Sequence, residues 1–440
     1  MEIKAFILRN TFWIKDFLKG SPIGKPYREI KWLQTHSQQE GQKKREKQLQ
    51  DLLKYMTTYS AYYRMLKGKS LSEFPVMNKM ALIENYEKLR ITEEHIPGQV
   101  GPVFIQKTSG STGTPLAVPQ DTKKRQRRLA EMKFFNYQVG FCSHEKLIHL
   151  RTWNKWQSKS VVQMKNENIV AYDVKKLSDN DMENLCNAIN TERCRFMRGY
   201  ASVFGRLAKV AERMNITFPT LQLIITTSEA LEDDVRERVK KVMGCDCISQ
   251  YADEECGIIA SERIPTQDTD NKMYFNNADY IVEVLKIDED EPVEYGEIGR
   301  IVLTDLHNHA FPIIRYDTGD TCILSEPDEF SNGYPVLKKL YGRRFDLTYN
   351  TNGEPIYPLA YGRVLKNFSD ILQWQMVQVE KLKYVLRLKL RNNRSNQLDS
   401  IVIAIKEIIG EEAILNVEMV DEIPVLTSGK RKPVVNLLKQ

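Results

Sequence analysis

Residues 221–251 constrain the fold more than any other stretch of this chain. Residues 221–227 form a short apolar run rich in β-branched side chains, LQLIITT, which predicts a buried strand. Ser228 follows as a helix N-cap with acidic residues in the first turns, and Gly244 is placed to end that helix. A second strand is predicted over residues 245–251. A strand, a crossover helix and a strand make a right-handed parallel unit, so this stretch predicts a parallel α/β sheet.

The same unit predicts where a ligand binds. Because the two strands run parallel, their carboxyl ends meet at one edge of the sheet, and open α/β sheets bind ligands at that edge. Ser228 and Glu229 follow the first strand, while Tyr251 and the acidic residues 253–255 come at the end of the second. We therefore expect these side chains to share one polar site.

The remaining chain is organised around this unit. Residues 1–100 are predicted to be helical and to belong to a large N-terminal domain, and residues 101–260 alternate strand-length apolar runs with amphipathic helices. Residues 275–340 change to short strands that suggest a small β-barrel-like subdomain, at 279–286, 298–304, 312–316 and 321–324.

Residues 341–440 are predicted to form a separate domain, with a strand at 384–390, a helix at 401–409 and a strand at 414–420. The predicted fold class is thus α/β. It combines a large N-terminal domain with mostly parallel sheets and the β-barrel-like subdomain, over 1–340, with a small mobile α+β C-terminal domain over 341–440.

Composition excludes several classes of protein. The 64 basic and 58 acidic residues leave a surplus of +6 with no single basic block, which does not indicate nucleic-acid binding. No apolar run reaches 18 residues and the first twenty residues mix charges with apolar side chains, so we expect a soluble cytoplasmic protein without a membrane span or signal peptide. The odd number of cysteines, 7, without regular spacing indicates reduced thiols.

Three of the cysteines are close in sequence: Cys245, Cys247 and Cys256. They are either metal ligands or buried thiols. The Cys-x-Cys spacing alone is a poor zinc signature, which favours thiols.

The strongest chemical signal is the segment at 108–115, TSGSTGTP. Glycines let backbone N–H groups approach phosphate oxygens, and hydroxyls add donors without a counter-charge. The density of hydroxyls favours a phosphate-binding loop over a plain linker, and no Gly-Lys-Ser/Thr follows that would make it a Walker A loop. The residues predicted to bind phosphate are Thr108, Ser109, Gly110, Ser111, Thr112, Gly113 and Thr114.

Two further segments are polar turns at predicted strand ends. Residues 250–257, QYADEECG, carry Tyr251, an aromatic ring suited to stack on a base, and carboxylates of which one is suited to hold Mg²⁺, although a solvated acidic turn has the same composition. Residues 314–320, IRYDTGD, end in Asp320, which is either a ligand for both ribose hydroxyls or a turn residue with a local role.

The last two segments are basic. Residues 341–346, YGRRFD, mark the domain boundary, where Arg343 is either a nucleotide contact near a pivot or a surface arginine. Residues 426–432, LTSGKRK, form a glycine-centred turn that presents Lys430 in the final domain. The turn either presents Lys430 for a function or is an exposed basic turn that only makes the protein more soluble.

Together, in this order and spacing, the segments resemble the ANL superfamily of adenylate-forming enzymes. Within it they look most like the branch of phenylacetate-CoA ligases and CapK proteins of capsular polysaccharide biosynthesis. The resemblance spans residues 62–432 and also rests on 62–79, on GEIGRIVLT at 296–304 and on PIIRY at 312–316.

The resemblance implies a role for each segment. The 108–115 loop would hold the phosphates of ATP, Ser228, Glu229 and Ala230 would line the adenine, and Tyr251 would pack on it. By the same resemblance, the remaining roles are Mg²⁺ ligation by Glu255, ribose binding by Asp320, ribose and phosphate contact by Arg343, and catalysis by Lys430.

The implied reaction has two steps. A substrate carboxylate attacks the α-phosphorus of ATP, and Lys430 and Mg²⁺ neutralise the charge that opposes this attack. The C-terminal domain then rotates, and the acyl-adenylate passes to coenzyme A or to an amine or hydroxyl acceptor. The implied cofactors are ATP and Mg²⁺, the implied substrate is a small carboxylic acid, and dimers are common in this branch.

The chain departs from the family pattern at three positions. Ala252 replaces the usual glycine after the tyrosine, Glu254 stands where serine or threonine is usual, and Phe345 replaces the first carboxylate of the hinge pair. These changes fit the CapK side of the branch and keep a catalytically silent relative as an alternative.

Aromatic residues lie in the stretch that would line the acyl pocket, and they are either pocket walls suited to an aryl acid or core residues: Trp153, Trp156, Tyr200 and Phe204.

Overall fold

The computed structural model describes residues 3–107, 116–153, 159–264, 271–343, 348–356, 358–365, 367–391, 397–424 and 433–438. The chain divides into two compact units. The large unit comprises Met1–Thr318 and Cys322–Leu340, and the small unit comprises Gly319–Thr321 and Tyr341–Gln440.

The α-helices of the described residues are α1 Ile3–Leu18, α2 Gly24–Thr35, α3 Gln38–Tyr59, α4 Lys79–Glu84, α5 Tyr86–Leu89, α6 Thr122–Gln138, α7 Val161–Glu167, α8 Asp179–Thr191, α9 Ala201–Arg213, α10 Asp233–Arg238, α11 Pro358–Leu365 and α12 Leu398–Ile409. The first five lie within the N-terminal hundred residues.

The strands are β1 Phe104–Lys107, β2 Ala117–Gln120, β3 Leu147–Arg151, β4 Ile169–Asp173, β5 Phe196–Gly199, β6 Leu223–Thr227, β7 Asp246–Ala252, β8 Ile258–Glu262, β9 Met273–Phe275, β10 Tyr280–Leu285, β11 Ile298–Asp305, β12 Tyr316–Ser325, β13 Val336–Arg343, β14 Thr348–Tyr349, β15 Pro355–Ile356, β16 Ile371–Glu380, β17 Lys383–Leu390, β18 Ile414–Met419 and β19 Val434–Asn436.

An 11-stranded sheet has the order β10-β11-β12-β13-β9-β8-β7-β6-β5-β3-β4. The strands β4, β3, β5, β6 and β7 pair in parallel, whereas β7, β8 and β9 pair antiparallel. The predicted parallel α/β sheet is confirmed. The strands of the predicted small β-barrel-like subdomain, β10 to β13, are joined to the same hydrogen-bonded sheet through β9.

One predicted strand of that region, over residues 312–316, is wrong. The observed strand β12 begins only at Tyr316, because Arg315 has a φ of 45° and so interrupts the extended backbone. The Arg315 guanidinium donates to the Glu283 carboxylate and to the backbone oxygens of Ser72 and Phe74. The irregular backbone thus places a buried cation between three segments.

The parallel unit at 221–251 is present, with one correction. Strands β6 and β7 are parallel neighbours, as predicted. The helix does not start at Ser228, because this residue has a φ of 70°. Instead Glu232 is the N-cap of α10, and the helix continues as a π-helical turn over Val239–Met243 to a left-handed Gly244, the predicted end.

The alternation of side chains along the parallel strands separates two cores. On one face Ile148, Met197 and Ile224 belong to a cluster with α8 and α9, which includes the fully buried Phe204. On the other face Leu147 and Phe196 belong to a second cluster, with β6 and β7 residues and the segment that follows α6. Phe204 is therefore a core residue.

The small unit contains a four-stranded sheet of order β18-β17-β16-β19. Its core includes the buried Tyr361, Leu386, Ile401 and Ile405. The predicted strands at 384–390 and 414–420 correspond to β17 and β18, and the predicted helix corresponds to α12. None of the helices in the described ranges is long and apolar enough to span a bilayer.

Candidate active site

Five parallel strands end at one edge of the large sheet, and two of the polar segments predicted from the sequence follow β6 and β7. Strand β6 ends at Thr227, whose Cα partner on β7 is Gln250. Ser228 is therefore at the same edge as Tyr251, the next residue of β7. The structure brings together the two segments that the sequence placed at a common ligand edge.

The turn after β6 is held by a capping contact. Glu229 Oε2 accepts a hydrogen bond of 3.0 Å from the backbone N–H of Ser202, in the first turn of α9. A carboxylate at this position satisfies an orphan donor and interacts favourably with the helix dipole. Ser228 and Ala230, on either side of Glu229, are exposed. The turn thus has a fixed position and an accessible surface.

Tyr251 is buried and its hydroxyl is oriented. Tyr251 Oη donates to Thr318 Oγ1 at 3.4 Å, and Thr318 Oγ1 donates to the carbonyl oxygen of Ile301 at 3.1 Å. This chain of hydrogen bonds fixes the ring at the end of β7.

The acidic turn is organised by Asp253. Asp253 Oδ1 accepts from the backbone N–H groups of Cys256 at 2.6 Å and Gly257 at 3.2 Å. Burial, and next the nearby Glu255 carboxylate, raise the pKa of Asp253 to about 8. Asp253 Oδ2 is buried without a hydrogen-bond partner among the described residues. Two carboxylates in one buried turn, one with an unsatisfied oxygen, are chemically suited to a divalent cation.

Glycine is required at position 257 of this turn. Gly257 has a φ of 141°, and a Cβ there would lie 2.7 Å from Glu131 Oε1 and 2.9 Å from Tyr280 Oη. The turn therefore approaches the buried side of α6 more closely than any larger residue would allow.

Glu254 joins the acidic turn to β1 and β3. Gln106 Nε2 donates to Glu254 Oε2 at 2.6 Å, and Arg151 Nη2 lies 3.8 Å from Glu254 Oε1. Arg128 Nη1 donates to the backbone oxygen of Glu254 at 2.9 Å. Glu254, which stands where the family usually has serine or threonine, thus has its carboxylate beside the Gln106 amide and the Arg151 guanidinium.

Strands β1 and β2 bring both ends of the predicted phosphate loop to this turn. They pair antiparallel, with Lys107 opposite Ala117, so they flank residues 108–115, which lie outside the described residues. Gln120 Nε2, on β2, donates to the backbone oxygen of Glu255 at 3.3 Å. Contacts from both strands therefore anchor the acidic turn beside the loop.

The described ranges contain no group of three or more His, Cys, Asp and Glu side chains that could hold a metal ion. Cys245 and Cys247 lie in the α8 and α9 core, whereas Cys256 belongs to a different core cluster. Burial raises the pKa of Cys245 to about 12. These cysteines are therefore buried thiols.

Sequence reasoning missed a cationic cluster at the same edge. Arg198 Nη2 donates to Asn136 Oδ1 at 2.5 Å and to Gln250 Oε1 at 2.8 Å, and both acceptors are neutral amides. Burial, and next the charge of Arg151, lower the pKa of Arg198 to about 10. The available signal was an arginine that directly follows apolar residues in each of two short runs, LIHLR and FMRG.

His149 lies within this cluster and is neutral. Burial, then the charges of Arg151, Arg198 and Lys159, hold its pKa well below the usual value. Its ring packs edge-on against Trp153 at 5.2 Å.

We expect His149→Gln to make the fold less sensitive to acid. Below about pH 6.5 the unfolded chain binds a proton at this histidine while the native protein does not. The free energy of unfolding therefore decreases as the pH is lowered. The free energy of unfolding, measured with urea at about pH 7.5 and about pH 5.5, should decrease less between the two pH values for the variant than for the wild type. Equal losses would contradict this assignment.

The aromatic residues have mixed positions. Trp153 Nε1 donates to the carbonyl oxygen of Tyr172 at 3.1 Å, and Tyr200 Oη accepts from the Thr152 N–H at 3.3 Å, so both rings lie near the strand ends. Trp156 lies outside the described residues.

Three predicted residues belong to the small unit. Asp320 lies within β12, Arg343 is the last residue of β13, and Lys430 lies outside the described residues.

Solved structures with the same fold include two CoA ligases. 2-Hydroxyisobutyryl-CoA ligase in the postadenylation state, in complex with R3-HIB-AMP, matches with a TM-score of 0.73 and 18% identity over 92% of this chain and 91% of that chain. The anthranilate CoA ligase AuaEII with anthranoyl-AMP matches with a TM-score of 0.56 and 16% identity, over 74% and 64%. ATP-bound MatB from Rhodopseudomonas palustris matches with a TM-score of 0.54 and 14% identity, over 74% and 66%.

No curated protein matches this chain in sequence. The family model of the AMP-binding enzymes matches residues 30–307, which is more than half of the chain and includes the strand edge, the acidic turn and the flanks of the predicted phosphate loop. The chain therefore belongs to the AMP-binding enzyme family, within the ANL superfamily of adenylate-forming enzymes.

Proposed function

We propose that the protein uses ATP to convert a carboxylic acid into its acyl-adenylate and then transfers the acyl group to coenzyme A. The observation that carries this proposal is the convergence at one sheet edge of the Ser228–Ala230 turn, Tyr251, the acidic turn and the two strands that flank residues 108–115. Family membership supplies the reaction class.

In the first step, the edge of the large unit binds the nucleotide. Residues 108–115 donate hydrogen bonds to the phosphates, the turn at Ser228, Glu229 and Ala230 borders the adenine, and the Tyr251 ring packs on it. Glu229 is then a positioning residue, because its carboxylate already caps α9.

The acidic turn suits Mg²⁺. Glu255 would ligate the ion, and the cation would offset the repulsion between Glu255 and Asp253 that contributes to the raised pKa of Asp253. Protein sites for Mg²⁺ commonly use one or two carboxylates together with substrate phosphates and water, so a larger ligand cluster is not needed. The ion supplies charge neutralisation at the phosphates.

The small unit contributes the remaining groups. Asp320 would bind the ribose hydroxyls, Arg343 would contact the ribose and phosphate, and Lys430 would bridge the α-phosphate and the attacking carboxylate. Rotation of this unit would remove Lys430 and admit the second nucleophile. Phe345, where the family has a carboxylate, makes this second step the one to test.

The substrate we propose is an aryl or short acyl acid. Trp153 and Tyr200 supply aromatic surface near the strand ends, and the solved relatives named for their acids act on 2-hydroxyisobutyrate and anthranilate.

The seven free cysteines favour a reducing, cytoplasmic location.

An amine or hydroxyl is the alternative acceptor to coenzyme A. The departures at Ala252, Glu254 and Phe345 fit a CapK-like ligase of the phenylacetate-CoA ligase branch, which would pass the acyl group to an amine or hydroxyl in polysaccharide or secondary-metabolite biosynthesis. Glu254 has Gln106 and Arg151 as neighbours, so its charge is compatible with a working site and argues against a silent relative.

Exchange of labelled pyrophosphate into ATP tests the first step. A panel of aryl, short acyl and hydroxy acids should contain at least one acid that stimulates exchange with Mg²⁺ present. Measurable ATP binding without exchange for any acid would instead favour the silent relative. With an active acid, AMP release that depends on coenzyme A supports the thioester, whereas release that depends on amine or hydroxyl acceptors supports the CapK-like alternative.

A further inference from the structure

Helix α1 presents an unusual outer surface. Six apolar side chains of this helix are exposed, and at about 100° per residue they occupy one sector of about 120°. Three of them are more than half exposed toward the end of the helix, with exposed fractions of 60% for Ile14, 74% for Phe17 and 76% for Leu18. The other three, defined with them as the α1 stripe, are Ile3, Phe6 and Ile7.

The opposite face of α1 is already packed. The Trp13 ring lies 5.4 Å from Tyr27 of α2 in an edge-on contact, and Lys133 Nζ of α6 lies 3.9 Å from the centre of the Phe12 ring. Ala5 and Asp16 are buried on this side. The helix is therefore anchored with the α1 stripe outward, and contiguous apolar surface of this kind indicates a binding surface.

The charge around the stripe identifies the partner. Residues 3–35 contain seven basic residues and two acidic ones, which is a local surplus of five in a chain whose total surplus is +6. Lys4 and Lys15 are exposed along one flank of the stripe, and Lys19 follows the helix. The surface is apolar and cationic at once, which is the pattern of helices that lie on anionic membranes.

Both acidic residues of this segment are occupied. Asp16 accepts hydrogen bonds from the N–H groups of Ile23 at 2.9 Å and Gly24 at 2.8 Å. Glu29 forms ion pairs with Lys44 and Arg127, each at 3.3 Å. Pairing of α1 with α1 of a second copy would therefore place lysines beside lysines, while the α1 carboxylate Asp16 is buried and held by backbone N–H groups, which disfavours self-association.

A cationic cleft adjoins the stripe. It has a volume of about 560 Å³, and Phe17 of the stripe is part of its wall. Its cations are Arg9, Arg28 and Lys133, and Asp16, which is held by the backbone contacts above, is the only carboxylate among the described residues that line it. Cations beside an apolar ridge match a phosphodiester headgroup beside its acyl chains.

We propose that α1 docks the protein on the surface of a membrane that contains anionic phospholipids. The α1 stripe enters the boundary between headgroups and acyl chains, the flanking lysines contact the headgroup layer, and the helix lies in the plane of the surface. Its 16 residues are too few to cross a bilayer, which takes about 20. Docking would hold the active site near an acid or acceptor carried by lipid.

Vesicle flotation of the full-length protein tests this directly. The protein should float with vesicles of phosphatidylcholine mixed with phosphatidylglycerol, bind phosphatidylcholine alone more weakly, and lose binding as salt is raised. Ile14→Glu with Phe17→Glu should weaken binding by about tenfold or more, because two charges would enter the apolar layer. Lys15→Gln with Lys19→Gln should weaken it by severalfold.

The matched control changes two apolar residues of α7 that are equally exposed, Val161→Glu with Val162→Glu. This variant has the same change in charge and should bind like the wild type. Unaltered melting temperatures would exclude misfolding as the cause of any loss.

Three results would overturn the proposal: no binding to anionic vesicles, binding that survives Ile14→Glu with Phe17→Glu, or an oligomer in solution that this double variant dissociates while wild-type protein ignores vesicles. The last would make the α1 stripe an interface between copies of this chain. None of these results depends on which acid the enzyme activates.

Discussion

Lys430→Ala should lower acid-dependent exchange of pyrophosphate into ATP by about 10²–10³-fold, with little change in ATP binding. The reason is that a carboxylate must approach the polyanionic triphosphate, and Lys430 is the cation proposed to bridge the two at the moment of attack. Exchange is measured with the best acid from the panel, and ATP binding by calorimetry.

The chain supplies close controls for this prediction. Arg431 and Lys432 follow Lys430 directly, so Arg431→Ala and Lys432→Ala remove the same charge from neighbouring positions. Both should retain most of the exchange activity. Lys430→Ala should also still consume a chemically prepared acyl-adenylate with coenzyme A, because the lysine is proposed for the first step alone. If all three variants lost exchange equally, Lys430 would have no special role.

Lys124→Met should destabilise the large unit by about 3–5 kcal/mol. Lys124 is essentially inaccessible to solvent, and its Nζ lies 2.5 Å from Asp305 Oδ2, which is also buried. Removing one partner leaves the carboxylate charged in a site of low dielectric, so the cost exceeds that of the lost contact. Urea unfolding measures the change in the free energy of unfolding.

The neighbouring lysine is the control for that experiment. Lys123 is exposed, and Lys123→Met should change the free energy of unfolding by no more than about 0.5 kcal/mol. Combining Lys124→Met with Asp305→Leu should recover part of the loss, because the isolated buried charge disappears. A Lys124→Met protein as stable as Lys123→Met would show that the pair contributes nothing.

The Lys124 pair belongs to a buried network that ties α6 to the antiparallel half of the sheet. Arg127 donates to Asp279, and Glu131 accepts from the Ile258 N–H and from Tyr280 Oη. The buried residues of α6 include these charged side chains as well as Ala130, Phe134 and Phe135, so the helix faces a core that is partly ionic. This network adjoins the acidic turn, because a Cβ at Gly257 would lie only 2.7 Å from Glu131 Oε1.

Local patterns in the sequence were enough to predict the parallel unit. The apolar run of β6, the crossover helix with its end at Gly244, and β7 each depend on consecutive residues, so their physical cause is visible in a single stretch. The shared edge then follows because parallel strands have their carboxyl ends on the same side of the sheet. The strands and helix of the small unit were predicted on the same grounds.

Predictions failed where a distant contact determined the backbone. The helix start at Ser228 was wrong because that turn adopts a positive φ, and its neighbour Glu229 caps α9 instead. The strand over 312–316 was wrong because Arg315 bends the chain to reach Glu283 and Ser72. The partners, Ser202 for Glu229 and Glu283 and Ser72 for Arg315, lie far from these segments in sequence.

The sequence by itself thus determined the fold class, the sheet edge that the two turns share and the family, because these depend on periodicity, turn residues and motif order along the chain. Only the tertiary structure decided the buried charges at Lys124 and Arg198 and the outward apolar stripe of α1. Arg127 and Asp279 are 152 residues apart in sequence, and an amphipathic helix has no outer face until its other face is packed. Burial and charge pairing depend on neighbours that only folding brings together.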